Sequence, residues 1–423
     1  MTHKRYEKYI DTEEAWLGSH PSHWARKPLW TLFRRVKRQG FESEELLSVY
    51  RDHGVIPKSS REDNFNKPSD DLSAYQLVEP GDLAVNKMKA WQGSVAISKH
   101  RGIVSPAYHV YTSLHSENQR YLHYLMRCDR YITGYLAISK GIRVNQWDLQ
   151  PEYHSRMPVL LPPLNEQLGI ASFLDRETAK IDALITEQQR LIELLQEKRQ
   201  AVISHAVTKG LNPNAPMKDS GVEWLGEVPE HWEILPIWIL FQLGRGRVIS
   251  HEDIAQNPGD YPVYSSQTED NGEMGRIGTF DFEGEYLTWT TDGANAGSVF
   301  RREGRFNCTN VCGTLKAKSS THINLDFALA SLRLATRAFV RMDINPKLMN
   351  NVMASIRVPV PPMGEQVEII RKLDKQIRGF QPLEDSIEVQ VCLLKERRSA
   401  LISAAVTGQI DVRGLVETEA GKQ

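Results

Sequence analysis

Two copies of one pattern constrain this chain more than any other feature in it. Trp16 to Trp24 reads WLGSHPSHW, and Trp224 to Trp232 reads WLGEVPEHW, offset by 208. Trp30 and Trp238 extend both copies, so six of the nine tryptophans fall in the pattern Trp-x7-Trp-x5-Trp. QGSVAI (Gln92 to Ile97) matches AGSVFR (Ala296 to Arg301), offset by 204. PPLNEQ (Pro162 to Gln167) matches PPMGEQ (Pro361 to Gln366), and AVISHAVT (Ala201 to Thr208) matches ALISAAVT (Ala400 to Thr407), both offset by 199. The offset changes only between the tryptophans and the prolines, so length varies in one part of the repeat and is fixed in the other. Self-similarity at this period means a duplicated unit of about 200 residues, a globular module followed by a helix.

The helical part is legible from spacing. After Pro162 and Pro163, with Asn165 as a candidate N-cap, apolar residues recur at Ile170, Leu174, Ile181, Leu184, Ile185, Leu191, Ile192, Leu195, Val202 and Ile203. About 44 residues at 1.5 Å each predict a rod of roughly 65 Å. A stripe of that length on a charged helix needs a long partner. The second copy, Gly364 to Val406, supplies one, with a kink or short break expected at Gly379 and Pro382. The expected division is a first module with its N-terminal segment over 1–161 and a spacer helix over 162–210. A linker and second module follow over 211–360, then a second spacer helix over 361–410 and a tail over 411–423.

The modules read as α+β, with a curved, mostly antiparallel sheet and few helices. Strand-like alternation runs through LSAYQLVEPGDLAVNKMKAWQGSVAI and YHVYTS, and helical patterns through Asn118 to Leu136 and Leu325 to Val340. Catalytic signatures are missing. There is no G-x4-G-K-[ST] loop, no G-x-G-x-x-G at a strand-to-helix turn and no Asn-Pro-Pro-aromatic tetrapeptide. Cys308-x3-Cys312 has no second pair at zinc spacing, so the expected metal count is zero. Four scattered cysteines suit a reducing cytoplasm, and no apolar run approaches membrane-span length. The overall net charge is −1, but Ala25 to Leu160 carries 20 Lys and Arg against 14 Asp and Glu. Either a solvated surface or a local basic face for an acidic partner follows from that excess.

With both hexapeptides, both Trp-Leu-Gly-x-x-Pro-x-His-Trp segments and both Ala-Val-Thr helix ends placed, the chain resembles the specificity subunit of a type I restriction-modification enzyme. The closing AAVTGQIDVRG (Ala404 to Gly414) adds to the likeness, which covers nearly the whole chain. The first copy departs at its start, with TEEAWLG where the second has SGVEWLG. The resemblance implies two target-recognition domains joined by two long antiparallel conserved helices, forming a coiled coil with an internal pseudo-twofold repeat. It implies a double-stranded DNA partner read at two half-sites across a fixed gap. It also implies two methyltransferase subunits using S-adenosylmethionine, and two restriction-translocase subunits using ATP and Mg. No membrane partner, no cofactor in this chain and no catalysis of its own are implied. A specificity subunit of a methylation-only or silencing system, or a non-catalytic coiled-coil adaptor, remains open at this point.

Base readout requires Arg, Lys, Asn, Gln or Ser/Thr on loops that reach a groove. In the first module the candidates are Lys87, Lys89, Gln92, Arg143, Asn145 and Gln146, with Trp91 capping the loop. In the second they are Ser266, Gln267, Asp292, Asn295, Asn345 and Lys347. Arg34 and Arg35, with Lys37 and Arg38, are a candidate phosphate clamp or an exposed helix end. Glu166, Gln167, Glu365 and Gln366 are candidate contacts to the methyltransferase. Capping and packing of the helix start accounts for those four side chains equally well.

Overall fold

The computed structural model describes all residues except 1–3, 52, 62–67, 142–146, 320–321, 342–344 and 416–423. It divides into two compact units, Met1–Gln189 with Glu388–Gln423, and Arg190–Ile387. Each unit closes its own apolar core.

The duplication is visible strand by strand. In the first unit a four-stranded antiparallel sheet runs in the order Phe33–Val36, Tyr108–Ser113, Leu83–Asn86, Val95–Ile97. In the second the order is Phe241–Arg245, Cys312–Ala317, Tyr286–Thr290, Val299–Arg302. The strand before each proline pair also finds the same partner. Pro158–Leu161 pairs with Ala25–Pro28, and Arg357–Val360 pairs with Glu233–Pro236. The units differ between these shared strands. The second inserts another four-stranded sheet, built on Pro258–Tyr264 and Arg305–Cys308. The first has two separate two-stranded ribbons there, Leu47–Tyr50 with Gly54–Pro57 and Gln76–Val78 with Gly102–Val104. This is the part of the repeat whose length the offsets allow to vary.

The GSV step shared by both copies has a steric reason. Gly93 and Gly297 sit at φ +93° and +82°, the left-handed region that L side chains avoid. A Cβ would lie 2.8 Å from Ile132 Cδ1 at the first and 2.6 Å from Val340 Cγ2 at the second. Glycine is required twice, at equivalent places before equivalent strands.

The long helices span Leu164–Lys209 and Met363–Val406. The first begins at Leu164, and the Pro163 carbonyl accepts from the Glu166 and Gln167 amides. Asn165 therefore lies inside the first turn and not at the N-cap, with its side chain accepting from the Glu166 amide at 2.9 Å. The second helix runs through Gly379 and Pro382 without a break. Proline removes one N–H, and Leu373 and Ile387 are buried on either side of it, so packing outweighs the single lost bond. In the first unit the two helices run antiparallel. Arg176 reaches the Leu415 carbonyl at 3.1 Å, and Asp182 pairs with Arg398 at 2.8 Å. In the second unit Arg199 faces Glu384 at 4.0 Å.

One expected element divides. The pattern over Asn118 to Leu136 forms two helices, Gln119–Arg127 and Asp129–Ile138, with Cys128 extended between them. The bend lets Tyr121, Tyr131 and Tyr135 all reach full burial. Their hydroxyls donate to the carbonyls of Leu160, Pro158 and Met126. Leu325–Phe339 is a single helix, as its spacing predicts.

Candidate nucleic-acid interface

In the second unit the expected readout residues come together from three loops. The Asn295 side-chain amide donates to the Ser266 carbonyl at 3.0 Å. Lys347 lies 3.5 Å from the Asp292 carboxylate, and their backbones form an antiparallel bridge. The Gly293 amide donates to the Pro346 carbonyl at 3.0 Å. Gln267 donates to the Glu273 carbonyl, which holds its loop to the following strand. Asn345 is exposed two residues before Lys347. Ser266, Gln267, Asp292, Asn295, Asn345 and Lys347 therefore share one loop cluster.

Beneath the Ser266 loop lies a residue that sequence reasoning missed. Arg302 is buried, with its guanidinium 3.6 Å from the Tyr264 ring centroid and 4.7 Å from that of Phe300. Burial lowers its pKa. An Arg on an alternating strand looks solvent-facing from sequence, and only the fold reveals the aromatic sandwich.

In the first unit Lys87, Lys89, Trp91 and Gln92 occupy the loop after the Leu83–Asn86 strand. The Trp91 indole donates to the Met88 carbonyl at 3.1 Å, and its ring meets Trp147 edge-on at 4.9 Å. The Leu149 amide donates to the Lys87 carbonyl at 3.0 Å. Residues 147–149 are thus fastened to this loop. Arg143, Asn145 and Gln146 lie outside the described residues.

Arg34 and Arg35 lie on a strand, Phe33–Val36, and not at a helix end. Both are exposed. Burial pushes the nearby His109 down to about 4, and the positive charges of Arg35 and Lys87 push it the same way. That common effect places Arg35 and Lys87 around one histidine. Arg34, Arg35, Lys87 and Lys89 form no ion pair among the described residues. Arg38, by contrast, is bound by Glu79 and Asp82. Arg35 and Lys87, both near His109, and the exposed Arg34 and Lys89 can each accept a phosphate without first losing a carboxylate.

The hexapeptide residues have a different environment. Gln167 is fully buried, accepts from the Asn118 amide at 2.9 Å and donates to the Pro162 carbonyl at 2.9 Å. Asn118 in turn caps the Gln119–Arg127 helix. Gln366 repeats this, accepting from the Asn324 amide at 2.8 Å and donating to the Pro361 carbonyl at 2.7 Å. Asn324 caps Leu325–Phe339. Each glutamine therefore ties the start of a long helix to the start of its module's helix. Glu166 is nearly buried and accepts from Tyr6, from His23 at 2.9 Å and from Trp24 at 3.0 Å. Glu365 is more open and meets His231 at 2.8 Å.

Among the described residues no group of three or more His, Cys, Asp or Glu could hold a metal ion, and all four cysteines are free. No described helix is long and apolar enough to cross a membrane.

Comparison with known proteins converges on one family. Residues 229–391 match the family model for the type I restriction modification DNA specificity domain. A Mycoplasma pneumoniae type I specificity subunit N-terminus is 50% identical over 131 residues, 31% of this chain and 70% of that protein. A second specificity subunit of that organism is 34% identical over 243 residues, 57% of this chain and 92% of its own length. The specificity subunit of its MpnII type I restriction enzyme is 42% identical over 167 residues, 39% of this chain and half of that subunit. A solved chain from work on complex assembly and conformational transition of the type I restriction-modification system superposes with a TM-score of 0.68 at 14% identity. That match covers 92% of this chain and 99% of the other, and it shows the common fold. The chain belongs to the type I restriction-modification specificity subunits, a family that is non-catalytic within its enzyme.

Proposed function

We propose that this chain reads a bipartite double-stranded DNA target, one half-site per module, and holds the two readings at a fixed gap. The observation that carries this reading is the pattern of likeness between the units. Strand order, helix anchoring and the backbone tethers of the loops repeat, while the side chains those loops carry differ, Lys87, Lys89 and Gln92 in one unit and Asn295, Asn345 and Lys347 in the other. A fold duplicated with divergent polar loops suits two different short sequences. Helices of 46 and 44 residues suit the role of spacer.

The partners in this reading are two methyltransferase subunits, which bring S-adenosylmethionine, and two restriction-translocase subunits, which bring ATP and Mg. The setting is the cytoplasm. For methyltransferase contact Glu365 offers an accessible carboxylate. Glu166, Gln167 and Gln366 would act by fixing the helix starts on which a partner docks.

The test is co-expression with the neighbouring methyltransferase subunit, followed by single-molecule mapping of N6-methyladenine across the host genome. Two short defined sequences around a constant unread gap support the reading. Methylation of one continuous short site overturns it.

A further inference from the structure

The first unit holds a cleft of about 890 Å³ beside the Lys87 to Gln92 loop, and its lining is chemically one-sided. Tyr50, Trp91 and Tyr108 give it aromatic walls. Arg51, Lys58 and Lys89 give it three cations, and no described lining residue is a carboxylate. The groove of the second unit differs, since Asp326 and Asp374 line it alongside Arg199, Arg333 and Arg337. Gln92 adds a side-chain amide with a donor and an acceptor to the first cleft, while the Asn86 oxygen already accepts from the Met88 amide at 3.1 Å.

These features select a ligand class. Arg51 and Lys89, with no carboxylate among the described lining residues, disfavour metal ions and basic peptides. The same cations disfavour a wholly apolar guest, which would strip their water without pairing them. Aromatic faces favour a flat π-system, worth about 1–3 kcal/mol per stacked base in nucleic-acid sites. Amides match the donor and acceptor edge of a base. An anionic, aromatic, edge-polar ligand satisfies all three conditions, and the volume lies within the usual range for a small-molecule site.

We propose that this cleft binds a nucleoside phosphate, with the base against the aromatic walls and the phosphate towards Lys89 and Arg51. The ligand has two sources, a free nucleotide or a nucleotide extruded from a bound DNA strand. Only the second source rests on the DNA-reading function proposed above. The second-unit groove lined by Asp326 and Asp374 does not share this carboxylate-free lining.

The experiment uses the full chain in complex with its methyltransferase subunit. The free probe is 2-aminopurine riboside monophosphate. The strand-borne probe is a duplex carrying 2-aminopurine at successive positions of the first half-site. Ser105→Glu and Ala107→Glu place a carboxylate on the lining, and Ser105→Gln is the neutral control. Saturable binding of the free probe, weakened tenfold or more by either Glu variant and kept by Ser105→Gln, establishes the free-nucleotide site. A fluorescence rise at one duplex position, lost in the Glu variants, establishes the strand-borne site. No response of the unaltered complex to either probe overturns the proposal. If split-motif methylation persists in that case, the DNA-reading function stands and only the cleft assignment falls. Free-probe binding without a split motif keeps the cleft assignment and removes the DNA-reading function.

Discussion

The Trp24 indole N–H donates to the Glu166 carboxylate at 3.0 Å, whereas the equivalent Trp232 indole N–H is buried without an acceptor. The two copies share the bulk of the ring but not its hydrogen bond. Trp24→Phe breaks a charged hydrogen bond and should cost about 2 kcal/mol. Trp232→Phe removes an unsatisfied donor and should cost less, despite the smaller ring. Urea denaturation of the two variants checks the order.

Gln167→Ala and Gln366→Ala should each destabilise by about 2 kcal/mol or more. Each leaves a backbone N–H, of Asn118 or Asn324, and a proline carbonyl without their partner. Hydrogen exchange should show the loss first at the N-termini of Gln119–Arg127 and Leu325–Phe339. Protection there that matches the unaltered chain would show that the glutamines do not anchor these helices.

Acid should weaken the first unit. Burial lowers His123 and His154 to about 3 and His109 to about 4, and lowers His115 as well, all from an ordinary value of 6.5. Between 6.5 and about 4 the unfolded chain binds protons that the folded unit refuses. Folding stability therefore falls as pH drops through that window and is fully recovered above the ordinary histidine value. His154→Gln should flatten the dependence, as read by unfolding midpoints at about pH 7.5 and about pH 5.

Salt dependence should report the phosphate contacts. Each cation removed from among Arg34, Arg35, Lys87 and Lys89 by change to Gln should lower the slope of log affinity against log salt by about 0.9. Titrating the assembled complex with target DNA at several salt concentrations measures it. An unchanged slope in the quadruple variant would remove these residues from the DNA-facing surface.

Replacing residues 30–160 with the same stretch of another specificity subunit should change one half of the methylated motif and leave the other intact. The methylome of the exchanged chain reads both halves at once.

Much of this was legible from residues alone, and the exceptions have physical causes. Period and offset exposed the duplication and both long helices, because a stripe about 40 residues long has few explanations. The break at Cys128 was invisible, because two short helices in one apolar pattern look like one long helix. Arg34 and Arg35 lie on a strand whose exposed side chains resemble any charged helix end. The second module's candidate readout loops are legible only as stretches, since Gly, Asn and Asp mark turns. Their convergence through Asn295 with Ser266 and Asp292 with Lys347 depends on contacts about 30 to 55 residues apart, which no local pattern encodes. The role of PPxxEQ was readable only as punctuation, because the anchoring bond runs to an asparagine 49 or 42 residues earlier.

Those buried amides bear on what a molecular ruler requires. A measuring rod is useful only if its zero mark cannot slide. Gln167 and Gln366 set that mark at the same point of each rod, in the first turn, by a bond to the module being carried. A residue inserted farther along either helix cannot be absorbed by re-registering its origin, and must appear as added length and rotation downstream. On the proposed reading, tolerance to change would divide: loop side chains away from Gly93 and Gly297 could vary, while each residue inserted in the rods would count as a unit on the scale.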